Sequence, residues 1–446
     1  MGKGGKDIKR DPEAKIAWEE VKKHTTRDDK WLVINNNVYD ITQWSKRHPG
    51  GSKVISHYAG QDATEAFTAF HPDKNFVGKF LKSIQIGKVN EKEFQYSPDE
   101  SSPEKYKAMK EDFELLRQKA EKKGYFKPSV TFFVLSLLHI VLLELLALAI
   151  LYNFGNGWIP WLVSAILLAT VQAQAGWSQH DFGHLSVCKN SYWNHFIHQF
   201  TMSLTKGAAP SWWNHLHYQH HAKPNVLEKD PDVRLEKVFV LGEVMPKRMA
   251  KKKNTMPYNL QHKYFFAIGP PLLFPIYFQI MIFRHVIQRK HWLDLSLMLV
   301  FYFKIATLYK SLLGSWGSLL LWYFIMRVIE SHWFVWVTQS NHIPMEIDDD
   351  KSRAWLPLQL HATCDIEKSY FNDWFTGHLN FQIEHHLFPT MPRHNLYKVK
   401  ADVEALCKKH NVPYVTKSLG QAFYDIPKTL KHSGEIWYAH YQSHHH

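Results

Sequence analysis

Residues 158–184 read WIPWLVSAILLATVQAQAGWSQHDFGH. The stretch 158–177 is apolar and of bilayer length. It runs directly into His180 and His184, four positions apart, which share one face if the helix continues. A membrane span thus ends in a pair of imidazoles at the membrane surface. Immediately upstream, VTFFVLSLLHIVLLELLALAIL (130–151) is a second apolar run, and NFGNG joins the two. The pair predicts a transmembrane hairpin. Three more apolar stretches follow: 264–283, 293–308 and 312–326.

Two further histidine clusters lie in the polar regions between and after these stretches. HYQHH (217–221) places His217, His220 and His221 at i, i+3 and i+4. His215, two residues earlier, points elsewhere. QIEHH (382–386) repeats the spacing with His385 and His386, and Gln382 stands in first place. A glutamine amide oxygen binds metal directly or through water, more weakly than imidazole. Seven imidazoles exceed what one first-row ion needs and suit two. Iron, zinc and copper all accept imidazole ligands. A carboxylate-bridged di-iron bundle would show paired E-x-x-H motifs, and none is evident. If the clusters build one site they lie on one side of the membrane, so an even number of crossings separates them. The stretch 293–308, interrupted by Lys304, is expected to lie flat or half-inserted.

The rest of the composition narrows the class. The chain has 446 residues, 45% hydrophobic, with 17 Trp and a formal charge of +13; its mean hydropathy is −0.33. A membrane part must therefore share the chain with polar parts, and tryptophan favours membrane interfaces. Basic residues are scattered or sit beside apolar segments, as in KRMAKKK (247–253), which suits an anionic cytoplasmic leaflet. No basic face with readable motifs supports a nucleic-acid partner. Cys188, Cys364 and Cys407 are far apart without C-x-x-C spacing, which excludes a disulfide framework or zinc ribbon and fits a reducing compartment. The polar start MGKGGKDIKR carries no signal-peptide core, so the N-terminus and KRMAKKK are expected in the cytosol. The final HHH is set apart as a tail.

Residues 15–90 predict a small α+β domain. WLVINNNVYDI (31–41) has two β-rich runs broken by asparagines, and DATEAFTAF (62–70) predicts a short helix with Asp62 at its start. RHPGG places His48 before a tight Pro-Gly-Gly turn, and His71 follows 23 residues on. Two histidines from opposite sides could ligate a heme iron at both axial positions, a site that transfers electrons and leaves no position for O2. His24 and His57 are expected at the surface. Zinc has no redox chemistry, so an electron donor on the same chain points the histidine clusters to a redox metal and O2. Residues 91–128 are a linker with a helix over 104–124, 129–430 the membrane domain and 431–446 a tail.

The first region, with WLVI, VYDIT, HPGG and the second histidine, resembles cytochrome b5; the resemblance implies heme b on His48 and His71. With HDFGH, NHLHYQHHAKPN and GHLNFQIEHHLFPTMPRHN added, nearly the whole chain looks like a membrane fatty acid desaturase. The fused cytochrome b5 region and Gln382 resemble the front-end subclass, the animal acyl-CoA delta-6/delta-5 desaturases. The resemblance implies four transmembrane helices capped by a cytosolic helical domain holding two irons. It implies a multi-pass protein of the endoplasmic reticulum membrane, with the N-terminal domain and histidine boxes in the cytosol. The substrate would be a polyunsaturated fatty acyl-CoA. O2 would be co-substrate, with electrons from NADH through NADH–cytochrome b5 reductase and the heme. It further assigns His342 in TQSNHIPM as a metal ligand. Asp181 and Glu384 would support the ligands they flank, His378 would orient a ligand or serve a structural role, and no catalytic residue beyond the ligands is implied. MGKGG, HWFVWVTQ and MEID resemble delta-6 enzymes, whereas SKVISHYAGQDAT (52–64) is like delta-5. A cytochrome b5-fused sphingolipid desaturase or fatty acid hydroxylase is the nearest alternative.

Overall fold

The computed structural model describes residues 11–89 and 103–445. The start MGKGGKDIKR, the first part of the expected linker and the final residue lie outside the described residues.

The N-terminal region forms a five-stranded sheet from β1 (Lys15–Ile16), β2 (Thr25–Thr26), β3 (Asp29–Ile34), β4 (Asn37–Asp40) and β5 (Gln85–Val89), in the order β1-β5-β4-β3-β2. β1 runs parallel to β5 and the other pairs are antiparallel. The two β-rich runs become the β3–β4 hairpin. Its turn residues Asn35 and Asn36 have φ of 49° and 62°, the left-handed pair that a two-residue hairpin turn requires and asparagine tolerates. Trp31, Val33, Val38 and Ile86 pack one face with Trp18 and Val21 of α1 (Trp18–Val21). Leu32, Ile34, Tyr39 and Ile41 join the opposite core. Over that core run α2 (Ser52–Ser56), α3 (Thr64–Phe70) and α4 (Lys74–Leu81). Asp62 Oδ1 accepts from the Thr64 backbone N at 2.9 Å, satisfying a free donor where α3 begins.

A long helix, α5 (Pro103–Lys122), buries Tyr106, Met109, Phe113, Leu116 and Ala120 at helical spacing against both the N-terminal region and the rest of the chain. Then come α6 (Val130–Phe154) and α7 (Trp158–Gly183), an antiparallel pair. α8 (Ser191–Gln199) and a π-turn at Phe200–Thr205 lead to α9 (Pro210–Ala222), followed by α10 (Val244–Ala250). α11 (Gln261–Leu272) and α12 (Gln279–Gln288) are joined through a second π-turn. α13 (Trp292–Leu313) and α14 (Trp316–Ser340) make a second antiparallel pair. α15 (Trp355–Ala362), α16 (Tyr370–Phe375), α17 (Gln382–Leu387), α18 (Lys400–His410) and α19 (Leu419–His445) complete the chain.

By length and composition, four segments can cross a membrane: Val130–Phe154, Trp158–Gly183, Tyr258–Gln288 and Trp292–Leu313. The exposed face of α6, with Val134, Leu135, Leu138, Val141, Leu142, Leu145 and Leu146, is stable only against hydrocarbon. The expectation that 293–308 lies flat is corrected by packing. The α13–α14 turn sits beside the α6–α7 turn: Trp161 Nε1 donates to Ser318 Oγ at 3.1 Å, and Trp322 Nε1 to Ser164 Oγ at 2.9 Å. α13 therefore runs alongside α6, where Lys304 meets Glu144 at 2.7 Å. The charge that marked this stretch as weak is neutralised inside the bundle.

The segment that does not separate the clusters is 258–288. Pro270, Pro271 and the π-turn break it. Gln261, near its start, bonds the Val240 carbonyl at 2.9 Å, and Arg289, just past its end, approaches His215 at 3.3 Å. Both ends lie on the histidine-bearing side. α13 and α14, an antiparallel pair packed against α6 and α7, return the chain to the histidine-bearing side.

Candidate metal centre

Helical geometry explains how the clusters meet. α7 continues past its apolar run to deliver His180, with His184 at its C-cap. α9 delivers His217, His220 and His221, and α17 delivers Gln382, His385 and His386. The histidines sort into two groups whose ring nitrogens lie within 4.8 Å of one another: His180, His184, His217, His221 and His385 in one, and His220, His342 and His386 in the other. The groups adjoin where His221 stacks on His386, with ring centroids 4.2 Å apart.

In the first group four Nε2 atoms form a chain. His184 to His217 is 2.9 Å, His217 to His221 is 3.0 Å, and His221 to His385 is 3.0 Å. Burial, and then the neighbouring histidines, hold the His217, His221 and His385 imidazoles well below their usual range. The His184 imidazole, lowered by burial and nearby His198 and His220, falls to about 3. Neutral rings converging by their nitrogens suit a cation among them, because metal ligands must be deprotonated. His221 Nδ1 is buried without a partner.

In the second group each Nδ1 is tied back. His220 Nδ1 meets Asp230 Oδ2 at 2.9 Å, His342 Nδ1 the Ala362 carbonyl at 2.9 Å, and His386 Nδ1 Gln359 Oε1 at 2.9 Å. Gln359 Nε2 donates to the His221 carbonyl at 3.1 Å, so its oxygen faces His386. All three Nδ1 partners are acceptors, so each Nδ1 carries a proton. Burial pulls the His220 imidazole down, but the Asp230 carboxylate outweighs it and raises it to about 9; such a partner makes a ligand more basic. His386 Nε2 is buried and unpartnered. Gln382 Nε2 lies 2.8 Å from His342 Nε2, while its Oε1 is buried and unpartnered. Turning the amide over would present the oxygen at the same point. The donor set therefore fits two imidazole-bound ions.

The remaining residues singled out in the sequence fall around these groups. Asp181 Oδ1 accepts from the Arg393 backbone N at 2.9 Å. Glu384 Oε1 accepts from Tyr414 Oη at 2.7 Å, and burial and Asp365 raise its carboxyl well above the usual range. His378 packs against Phe132, and His215 against His285. Asp230 and Gln359, which orient the second group, carry no sequence signal: their partners are set by the fold.

In the N-terminal region His48 and His71 face each other with ring centroids 6.2 Å apart. Their Nδ1 atoms are held by the Gly51 and Phe67 carbonyls at 3.3 and 2.8 Å, leaving Nε2 free on both rings. That spacing accommodates one metal ion between two imidazoles at bonds of about 2 Å. Burial, and then His71, lower the His48 imidazole to about 4. A Cβ at Gly50 would stand 3.0 Å from His48 Cε1 and crowd the ring. His57 departs from its expected surface place. Its carbonyl accepts from Lys229 at 2.9 Å at the junction with the histidine layer, and burial and Lys229 lower its imidazole to about 4. His24 stacks on Trp31, with ring centroids 3.5 Å apart.

The family model described as "Fatty acid desaturase" matches residues 156–418, more than half of the chain. The chain belongs to the fatty acid desaturase family. A second model, "Cytochrome b5-like Heme/Steroid binding domain", matches residues 17–90. Among solved structures, the cytochrome b5 of Ostreococcus tauri virus 2 is similar at 41% identity, covering 17% of this chain and 94% of that chain with a TM-score of 0.16. The protein is thus a desaturase with a fused N-terminal cytochrome b5-like domain, an oxidoreductase and a multi-pass membrane protein. The cytochrome b5 domain implies heme, and the desaturase domain with its histidine groups fits a di-iron site.

One glycine of the desaturase's first box has a specific task. A Cβ at Gly183 would stand 2.3 Å from Trp213 Cζ3, and Trp213 stacks on His217 at 4.2 Å. Gly183→Ala is expected to push the indole against this imidazole. Iron retained after purification should fall, with the heme absorbance unchanged. Metal analysis of the purified variant checks this.

Proposed function

We propose that this desaturase is a front-end acyl-CoA desaturase of polyunsaturated fatty acid biosynthesis, introducing a cis double bond on the carboxyl side of existing double bonds. On this reading His180, His184, His217, His221 and His385 hold one iron, and His220, His342, His386 and Gln382 hold the other. His48 and His71 would hold heme b between them. The electrons come from NADH through NADH–cytochrome b5 reductase. The site faces the cytosol at the endoplasmic reticulum membrane.

A methylene has no acidic proton and no electrophilic carbon, so side-chain acids, bases and nucleophiles cannot act on it; when bound, the irons supply the O2-dependent oxidant. The chain's own residues position and insulate. Asp230, Gln359 and the Ala362 carbonyl keep a proton on each Nδ1 of the second group. Phe381, Ile383, Leu387 and Phe388 are fully buried around α17 and exclude water from it. The choice of carbon rests on how deep the acyl chain seats, since one methylene contributes only about 1–3 kcal/mol of discrimination. The reading of the regiochemistry is delta-6, on linoleoyl-CoA, with delta-5, delta-4, delta-8 or bifunctional activity as its alternatives.

The observation that carries the proposal is the convergence of eight histidines in two groups beside an electron-transfer domain. The test is expression in a eukaryotic microbial host that makes no polyunsaturated fatty acids. It is fed linoleic, alpha-linolenic and dihomo-gamma-linolenic acids separately, and its lipids are analysed by gas chromatography–mass spectrometry. Gamma-linolenic or stearidonic acid marks delta-6 activity, and arachidonic acid marks delta-5. No new double bond from any feed, with heme present, refutes the front-end reading.

A further inference from the structure

Resting on that reading, we infer that Phe70 is the bridge through which electrons pass from the cytochrome b5-like domain to the histidine centre, and that the domain is docked for this transfer rather than tethered. α3 ends at Phe70, and His71 is its C-cap. These two neighbours face opposite ways. His71 turns inward to His48, held by the Phe67 carbonyl. Phe70 turns outward and meets His221 edge-to-face, with ring centroids 6.5 Å apart and planes at 88°. It also meets Trp355 edge-to-face at 5.7 Å. His221 belongs to the first histidine group and stacks on His386 of the second. One residue, next in the chain to a heme-side histidine, therefore stands with its ring centroid 6.5 Å from that of a histidine at the junction of both groups.

The contact is held by the surrounding interface. Tyr58 Oη donates to the Ala222 carbonyl at 2.8 Å, on the residue next to His221. Gln61 Nε2 donates to Asp350 at 2.9 Å, and Lys223 Nζ donates to Gln61 Oε1 at 2.7 Å. Lys229 Nζ donates to the His57 carbonyl at 2.9 Å. Tyr58, Ala63, Ala66 and Ala69 share one continuous core with Ala222 and Trp355. A dry apolar core of this kind is not broken and remade in each catalytic cycle, because re-exposing it costs about 25 cal/mol per Å². Electronic coupling is carried by bonds and van der Waals contacts and is lost across gaps. A ring next in the chain to one site and edge-on to the other shortens the gap. With heme held by His48 and His71 and iron held by the histidine groups, one electron would pass from ferrous heme to a ferric iron, leaving ferric heme and ferrous iron; Phe70 would gain and lose no atom.

The full chain, loaded with heme and iron in detergent, provides the test. The heme is reduced without O2 by a rapid-mixing pulse of reductant, and the decay of its ferrous absorbance is followed. Wild type should reoxidise quickly, and Phe70→Trp should stay close to it. Phe70→Leu, which keeps bulk but loses the ring, should be several-fold slower. Its heme spectrum, heme potential and iron content should be unchanged, which a purely structural role would not predict. Phe70→Met serves the same comparison if Leu disturbs folding. A Leu or Met variant as fast as wild type overturns the bridge. If iron-free wild type reoxidises as fast as the iron-loaded protein, the electrons do not go to the histidine centre, and the proposed function fails with the bridge.

Discussion

His386→Ala is expected to abolish new double bonds and to remove about half of the bound iron, while the ferrous heme absorbance persists. His386 is fully buried on α17 with Nδ1 committed to Gln359, so its sole function-bearing atom is Nε2. The second group has three imidazoles and Gln382. Losing one leaves two imidazoles and a neutral amide. Residues that only orient a ligand typically cost about 10–100-fold in affinity or activity when removed. Gln359→Leu should therefore fall in that range, with His386→Ala below detection. Product analysis and metal content on the same membranes measure both. Full activity in His386→Ala would mean that the second group does not bind a metal needed for the reaction.

Glu330→Gln is expected to destabilise the membrane bundle by about 3–5 kcal/mol, since it removes the acid from a buried cluster and leaves cations unpaired. Glu330 lies at zero exposure between Arg327 and Lys206. Arg327 Nη1 reaches its Oε2 at 2.6 Å, and Lys206 pairs with its Oε1. Arg327 Nη2 also donates to the Lys206 carbonyl at 2.7 Å, and Lys206 Nζ to the Gln172 carbonyl at 3.1 Å. The cluster ties α7, α14 and the first π-turn together, directly beneath the histidines of α7. Gln keeps the volume, so the loss is electrostatic. Adding Lys206→Met should recover part of the stability, as expected for coupled neighbours. Thermal melting of the solubilised protein, followed by the heme-independent Trp signal, measures the loss. An unchanged melting temperature would mean that water reaches these charges.

Much of this molecule is legible along the chain because its signals are local. The β3–β4 hairpin follows from the two asparagines whose φ is positive. The α6–α7 hairpin follows from two bilayer-length apolar runs. The clusters of α7, α9 and α17 are visible because helical ligands recur at i, i+3 and i+4. How they divide was only partly legible. On α9, His217 and His221 are separated by about 40° around the axis, while His220 lies about 60° to the other side, and they enter different groups. His385 and His386 are about 100° apart and likewise part company.

By itself the sequence determined which residue types are offered and on which helical faces, since both depend on spacing along one segment. Only the tertiary structure decided the rest. It gave Lys304 its partner on α6 and so placed α13 in the bundle. It brought Asp230 and Gln359 to the ring nitrogens they orient. It set Phe70 against His221, 151 positions later in the chain. These contacts join segments far apart in sequence, and their strength comes from burial, where an unpaired charge or polar atom is costly. No local spacing encodes that pairing, because it exists only once the helices have packed.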